Sequence, residues 1–261
     1  MNRSEELIMN TIAAAVILFA LPVVAPAQVR GGPPRTPRES APVELTGYWV
    51  ALIHEDWRFR MVTPPKGDYP NFTATFGPFV TGTLLNDEGK KVADAWDPAK
   101  DEAAGLQCKA YGAANIMRIP ARLHVTWAND TTLKIDFDAG TQTRLLRFGK
   151  PQLPATPPDW QGFSIAEWQG PPVPGGQGGS LRVVTTRMRP AYLQRNGVPY
   201  SGDAVMTEYF DVVKEPDNTQ YLVVKTIVED PKYLRRTLMR STHFRKQSDA
   251  SGWNPTPCTV K

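Results

Sequence analysis

The chain has 261 residues, of which 41% are hydrophobic and 21% are charged, a balance typical of a globular protein that excludes wholesale disorder. Its 25 prolines and 20 glycines favour short elements joined by turns, which excludes coiled coils and helical bundles. The formal net charge is only +4, with basic residues spread along the chain, so charge alone does not indicate a nucleic-acid partner.

The first residues predict an export signal. Residues 11–24 are almost wholly apolar and too few to span a bilayer. Ala25, Pro26 and Ala27 place small residues where signal peptidase reads the chain. We therefore expect a signal peptide at residues 1–27 and a periplasmic or secreted protein that keeps no stable membrane anchor after cleavage.

The start of the chain departs from an ordinary signal peptide, because Arg3 is offset by two nearby glutamates. A buried helix or a retained membrane anchor is therefore the alternative. Residues 28–43 are rich in Gly, Pro and Arg, which predicts a flexible linker. No later boundary divides the chain, so we expect a single β-barrel domain at residues 44–261.

The first predicted strand covers residues 45–53, and residues 57–62 form a weaker strand candidate. Residues 54–60 form a charged and aromatic run that begins between these two segments. A carboxylate beside two guanidinium groups suits the binding of an acidic substrate, and it equally suits pairing within the protein. The candidate ligand-binding residues of this run are His54, Asp56, Trp57 and Arg58.

Two short helices are predicted before Cys108, at residues 87–96 and 98–104. The first has apolar residues at helical intervals. Asp97 and Pro98 are typical of a helix cap followed by proline at the first helical position, and Gly105 is typical of a helix end.

From Arg122 onward polar and apolar residues alternate, which is the period of strands with one buried face. Turns at residues 129–131 and 138–140 predict a three-stranded meander. A succession of antiparallel strands avoids open edges by closing, so we predict a mostly β fold, an antiparallel meander closing into a lipocalin-like barrel with a ligand-sized interior. An open sandwich is the alternative. Later strands are predicted at residues 163–169, 181–188, 204–213, 220–229 and 235–245.

The first hairpin predicts a histidine opposite a carboxylate. A three-residue loop places His124 opposite Asp136 and Arg122 opposite Asp138 on one face. A carboxylate that holds an imidazole orients it for acid or base catalysis, whereas on a solvent face the same pair is an ordinary ion pair. The alternation does not fix which face is inward. His124 and Asp136 are candidate catalytic residues, and Arg122 is a candidate ligand-binding residue.

Glu208 is the third candidate catalytic residue. It interrupts the apolar row formed by Met206 and Phe210. On an inward face, burial would favour the neutral carboxyl and suit it to acid or base work.

The sequence predicts no metal site and no cofactor. The chain has 3 histidines, His54, His124 and His243, and they lie on separate predicted strands, so only a closed fold could gather them. Ser164 follows Gly162 but lacks the second glycine of a nucleophile elbow. Phosphate-loop, dinucleotide-binding and HExxH patterns are absent from the sequence.

The chain has two cysteines, Cys108 and Cys258. An oxidising compartment favours a disulfide between them, which would join the end of the chain to its body.

Two resemblances follow from short segments. Gly47, Tyr48 and Trp49 resemble the Gly-x-Trp that opens lipocalin barrels, in which the tryptophan closes one end. Four further segments resemble a functionally unassigned family of exported bacterial β-rich proteins, a similarity that covers most of the mature chain and implies no mechanism. These are Glu55 to Arg58, Met61 to Tyr69, Trp96 to Lys100 and Cys108 to Gly112.

Taken together, these features predict an exported binding or carrier protein for a small hydrophobic or aromatic molecule. Its 7 tryptophans and 8 tyrosines suit the lining of such a pocket. The alternatives are a cofactor-free acid/base enzyme, an isomerase, lyase or hydrolase with its site in the barrel, and an envelope interaction protein without a pocket. The expected partner is a small molecule rather than a nucleic acid.

Overall fold

The structure of the protein is a computed structural model that describes residues 34–54, 57–70, 82–170 and 178–260. Within these residues the helices are α1 (Trp57–Met61), α2 (Asp87–Asp94), α3 (Pro98–Ala103), a 3₁₀ helix (Gln107–Tyr111) and α4 (Ala113–Ile116). None of these helices is long and apolar enough to cross a membrane. The strands are β1 (Gly47–Leu52), β2 (Arg122–Asn129), β3 (Thr132–Phe137), β4 (Gln142–Phe148), β5 (Phe163–Gln169), β6 (Ser180–Thr186), β7 (Ala191–Gln194), β8 (Val198–Tyr200), β9 (Val205–Lys214), β10 (Gln220–Glu229) and β11 (Leu238–Gln247).

Most of these strands close into one barrel. Their order around the barrel is β1-β11-β10-β9-β6-β5-β4-β3-β2, and β7 pairs with β8 in a separate two-stranded sheet. Closure comes from β1, which pairs with β2 on one side and with β11 on the other. The prediction of a mostly β, lipocalin-like barrel with two short helices before Cys108 is confirmed.

One pairing departs from the predicted antiparallel meander. Strands β4 and β5 run parallel, with Leu146 opposite Ser164 and Phe148 opposite Ala166. Parallel neighbours need a connection that travels back along the sheet, and residues 149–162 provide it. That segment has no alternating pattern, so its residues do not indicate the change of direction.

The barrel turns its apolar face inward. On β3, for example, Leu133, Ile135 and Phe137 are buried, whereas Lys134 and Asp136 between them are partly exposed. Removing each large apolar side chain from water contributes about 1.5–3 kcal/mol. The inward residues form one continuous core that includes Trp49, Leu123, Leu146, Phe210 and Phe244.

A second apolar cluster lies outside this core and joins the β7–β8 hairpin to the helical region. Leu84, Leu85, Leu193 and Tyr200 are buried in it. Because Met206 of β9 belongs to the same cluster, the helices and the hairpin are packed against the barrel. The cluster therefore covers the end of the barrel at which β9 begins.

The two predicted helices are present, and the cap predicted at Asp97 is confirmed. The Asn86 side chain accepts a hydrogen bond from the Gly89 amide at 2.8 Å, which caps α2. The Asp97 side chain accepts from the Ala99 amide at 3.0 Å, and Pro98 is the first residue of α3. These side chains satisfy amides that the first turn of a helix leaves without partners.

Residues 57–62 do not form the strand that the sequence suggested as a weaker candidate, because α1 occupies most of that segment. The helix turns Arg60 inward, where it is 2% exposed. Its Nε donates to the Arg118 carbonyl at 3.1 Å and its Nη1 donates to the Leu52 carbonyl at 2.5 Å. The chain therefore leaves the sheet directly after β1.

The predicted disulfide between Cys108 and Cys258 is confirmed, and it joins residues 150 positions apart. Ahead of Cys258 the C-terminal tail follows the outside of the barrel, where the Thr256 amide donates to the Asp138 carbonyl at 2.8 Å. Trp253 of the tail stands edge-on to Tyr48 of β1, with ring centroids 5.8 Å apart.

Candidate functional site

A pocket of about 200 Å³ lies at the mouth of the barrel where β1 begins. The inward side chains of Trp127, Leu133 and Trp168 reach it from β2, β3 and β5, whereas the surface exposed in the pocket is mainly polar. Residues 35–46, which we call the strap, pass over this mouth before β1 and form the opposite wall. The strap residues that line the pocket are Arg38, Ala41, Val43, Glu44, Leu45 and Thr46.

Three aromatic rings are clustered at this mouth. Phe148 lies 5.2 Å from Trp168 and 5.6 Å from Trp127 between ring centroids, and the two indoles are 6.4 Å apart. Each ring belongs to the inward row of side chains that builds the core, and each lies near the end of its strand. Tilted aromatic contacts at such distances are favourable, so the rings form a stable cluster, and two of them, Trp127 and Trp168, line the pocket.

Hydrogen bonds hold the strap in place. The Trp168 indole Nε1 donates to the Pro37 carbonyl at 2.8 Å, and the Arg38 amide donates to the Asp130 carbonyl at 3.2 Å. Val43 and Leu45 of the strap are buried at 4% and 3% exposure. The strap is thus fastened to the barrel at both of its ends, with the pocket between.

Trp49 of β1 holds the end of the strap, and the role that the Gly-x-Trp resemblance implies for it stays a prediction. It is fully buried, and its Nε1 donates to the Leu45 carbonyl at 2.9 Å. The Lys246 ammonium lies 4.4 Å from the centroid of the Trp49 ring and donates to the Thr46 carbonyl. Desolvation in this position lowers the pKa of Lys246.

Inside the barrel lies a second polar arrangement, a buried ion pair between Arg144 and Glu208. The Arg144 Nη2 donates to Glu208 Oε2 at 2.6 Å and Nη1 donates to Oε1 at 3.2 Å, and both side chains are 0% exposed. Arg144 also donates to the Thr185 hydroxyl at 3.3 Å, which lies 2.8 Å from the Ser164 hydroxyl. Glu208 therefore points inward, which is one of the two orientations that the sequence left open, and its catalytic role stays a prediction.

This arrangement neutralises charge within the core. Both carboxylate oxygens of Glu208 accept from one guanidinium, so neither is left as an unengaged base. Among the described residues, two polar atoms of this region are buried without a hydrogen-bond partner, the Arg144 Nε and the Tyr200 hydroxyl. Desolvation raises the pKa of that tyrosine to well above its ordinary value.

His124 and Asp136 are direct neighbours across β2 and β3, as the alternation predicted. They lie on the outer face, where His124 stacks on Tyr48 with ring centroids 4.0 Å apart. The Asp136 carboxylate accepts from the Thr143 hydroxyl at 2.7 Å and pairs with Lys134 at 2.7 Å. The geometry is that of a surface ladder of side chains, and the catalytic role of the pair stays a prediction.

The candidate ligand-binding residues do not converge on one place. Arg122 lies under the C-terminal tail, next to Gly252. Trp57 of α1 is 63% exposed, and Arg58 belongs to the same helix. Asp56 lies outside the described residues. His54 instead meets His243, whose Nδ1 lies 3.3 Å from the His54 Nε2.

Two groups of residues were missed by reasoning from the sequence. Arg144 stands in the row of Leu146 and Phe148, so the anomaly that singled out Glu208 was present there as well. The mouth residues Trp127 and Trp168 have no comparable signal. Their alternation predicts burial, but their meeting depends on how distant strands are ordered around the barrel.

Comparison with known proteins finds no match to the chain among protein-family models. No curated protein and no solved structure matches it either. The resemblance to exported bacterial β-rich proteins therefore stays a prediction, and the interpretation of the site depends on its own geometry.

Proposed function

We propose that the chain is a binding protein for a small hydrophobic or aromatic molecule, which it holds in the pocket between the strap and the barrel. The observation that carries this proposal is the pocket of about 200 Å³ over the Trp127 and Trp168 indoles. Mouths of β-barrels are preferred places for such ligands, and their sites are largely apolar with a few polar groups.

The size of the pocket sets the size of the ligand. A cavity of about 150 Å³ accommodates benzene, so the present pocket has room for a single ring, and its mainly polar surface favours a ring with a polar substituent. The centre of the barrel is occupied by packed side chains such as Leu146, Phe210 and Phe244. The ligand therefore belongs at the mouth rather than deeper inside.

The rim favours an acidic or hydroxyl substituent on that ring. The Arg38 guanidinium is 3.7 Å from the Asp130 carboxylate, and its side chain is 55% exposed. An ion pair this loose and this exposed contributes little, so the guanidinium can exchange it for a charged group of the ligand. Glu44 lies at the same rim, where it discriminates against a second negative charge.

The disulfide supports an exported location. A bond between Cys108 and Cys258 forms and persists in oxidising compartments, such as the periplasm or the extracellular medium. In this proposal the protein binds its ligand there, after removal of the signal peptide.

Titration with phenol, benzoate and cyclohexanol, followed by tryptophan fluorescence and calorimetry, tests the proposal. Ala41 lines the pocket from the strap, so Ala41→Trp should fill it and weaken binding at least tenfold. Ala250 is exposed in the C-terminal tail, and Ala250→Trp is the matched control that should bind as the unmodified protein does. Failure of all three probes to bind at millimolar concentration, or unchanged affinity in Ala41→Trp, would refute the proposal.

A further inference from the structure

Closure of the barrel brings together two of the 3 histidines of the chain. His243 of β11 pairs with Leu52 at the end of β1, and His54 follows Leu52 by two residues. The His54 Nε2 and the His243 Nδ1 are 3.3 Å apart, and the ring centroids are 5.3 Å apart. No pattern within either segment indicates this contact, because it depends on the first and last barrel strands being neighbours.

The separation of the two nitrogens fits a shared metal ion. Zinc–imidazole bonds are about 2.0–2.1 Å long, and two such bonds at a tetrahedral angle place the nitrogens about 3.3–3.4 Å apart. The two histidine nitrogens already lie at this separation. The rings are stacked with 16° between their planes, so both must rotate and give up the hydrogen bond between them before their lone pairs meet at one ion. Both side chains reach the solvent-exposed side of the sheet, where such a rotation has room.

The remaining ring nitrogen of His243 is also held as in a metal ligand. The His243 Nε2 lies 3.0 Å from the Ser241 hydroxyl. Histidines that bind metals commonly donate their second N–H to a neighbouring acceptor, which fixes the tautomer and the ring orientation. With the proton of His243 on Nε2, its Nδ1 accepts a hydrogen bond from the His54 Nε2–H. An ion replaces that hydrogen bond when His54 changes to the tautomer with its proton on Nδ1, because both Nδ1 of His243 and Nε2 of His54 then carry lone pairs.

We propose that His54 and His243 form an open two-histidine site for a divalent transition-metal ion. Imidazole nitrogens suit Cu²⁺, Ni²⁺ and Zn²⁺, and the general order of stability makes Cu²⁺ the most tightly bound of the three. Among the described residues, no group of three or more His, Cys, Asp and Glu side chains gathers around one point.

This site is separate from the pocket at the mouth. The strap precedes the start of β1, whereas His54 follows its end, so the two sites lie at opposite ends of that strand. The metal proposal consequently does not depend on the proposed binding of an aromatic molecule. Either one can fail without affecting the other.

Three histidines make the test selective. The mature protein is titrated with CuSO₄, NiCl₂ and ZnCl₂ by calorimetry, using His54→Ala, His243→Ala and the control His124→Ala. The control residue stacks on Tyr48 and is not part of the proposed site. We expect one ion to bind to the unmodified protein and to His124→Ala with equal affinity, and at least tenfold weaker binding to the other two variants.

A measurement on the unmodified protein removes any dependence on how the variants fold. The imidazole NMR signals of the 3 histidines can be observed individually, and substoichiometric Ni²⁺ or Cu²⁺ should broaden those of His54 and His243 but spare that of His124. Ser241→Ala should weaken binding severalfold by freeing the His243 ring. Equal broadening of all three signals, or the absence of saturable binding, would overturn the proposal.

Discussion

Replacing Glu208 by glutamine should cost the protein about 3–5 kcal/mol of unfolding free energy, because it leaves the Arg144 charge without its carboxylate inside the barrel. The two side chains are 0% exposed and share two hydrogen bonds, so solvent cannot compensate for the loss. The total stability of a domain is about 5–15 kcal/mol, which makes this single change a large fraction of it.

Removal of both charges should restore most of that loss. In the double variant Glu208→Leu with Arg144→Met, no buried charge remains, and replacing an ion pair by apolar groups of similar volume is often close to neutral. The Thr185 hydroxyl keeps its partner in the variant, because the Ser164 hydroxyl lies 2.8 Å away. The double variant should therefore be more stable than Glu208→Gln.

Equilibrium unfolding in urea measures these differences, provided that the slope with denaturant stays constant among the variants. Glu167→Gln is the matched control, since Glu167 pairs with Arg182 on the outside of the barrel at 3.7 Å with its side chain 66% exposed. That exposed pair should be worth less than about 1 kcal/mol. If the double variant loses as much as Glu208→Gln, or if the control loses as much, the reasoning about buried charge is wrong.

Three further predictions follow from other contacts. Gly197→Ala should lower the thermal midpoint of unfolding more than Gly149→Ala does. Both glycines have φ above +80°, but only at Gly197 would the new methyl group overlap an indole ring. Equal losses in the two variants would contradict this. Replacing Cys108 and Cys258 by alanine should lower the free energy of unfolding by about 5 kcal/mol, because it opens the long loop that the disulfide closes. An unchanged urea midpoint would argue against this. Burial, and to a smaller extent a hydrogen bond to a carboxylate, raises the pKa of Tyr192. The unfolded chain therefore loses this proton first, so the free energy of unfolding should fall as the pH rises above about 10, and Tyr192→Phe should lessen the fall.

Alternation of polar and apolar residues predicted the barrel wall because a strand repeats every two residues whatever its partner is. It placed His124 opposite Asp136, and it placed Glu208 in an apolar row. Local chemistry likewise predicted α2 and α3, since a helix cap needs only a side chain next to the first turn.

Features that join distant segments could not be derived in this way. The parallel pairing of β4 with β5 depends on the path of a segment that has no period of its own. The meeting of His54 with His243 needs a closed barrel, and the pocket needs the strap to return over Trp168. Each of these contacts is decided by tertiary packing, which overrides what a single stretch of residues prefers.

The pairing of β1 with β11 also constrains how the barrel folds. Strand β1 lies far along the chain from Leu238–Gln247, the strand that seals the barrel beside it. Until that last strand is in place, backbone amides and carbonyls stay unpaired along two edges of the sheet, which promotes association with other chains. A premature stop before the last strand would yield an aggregating sheet rather than a slightly smaller barrel.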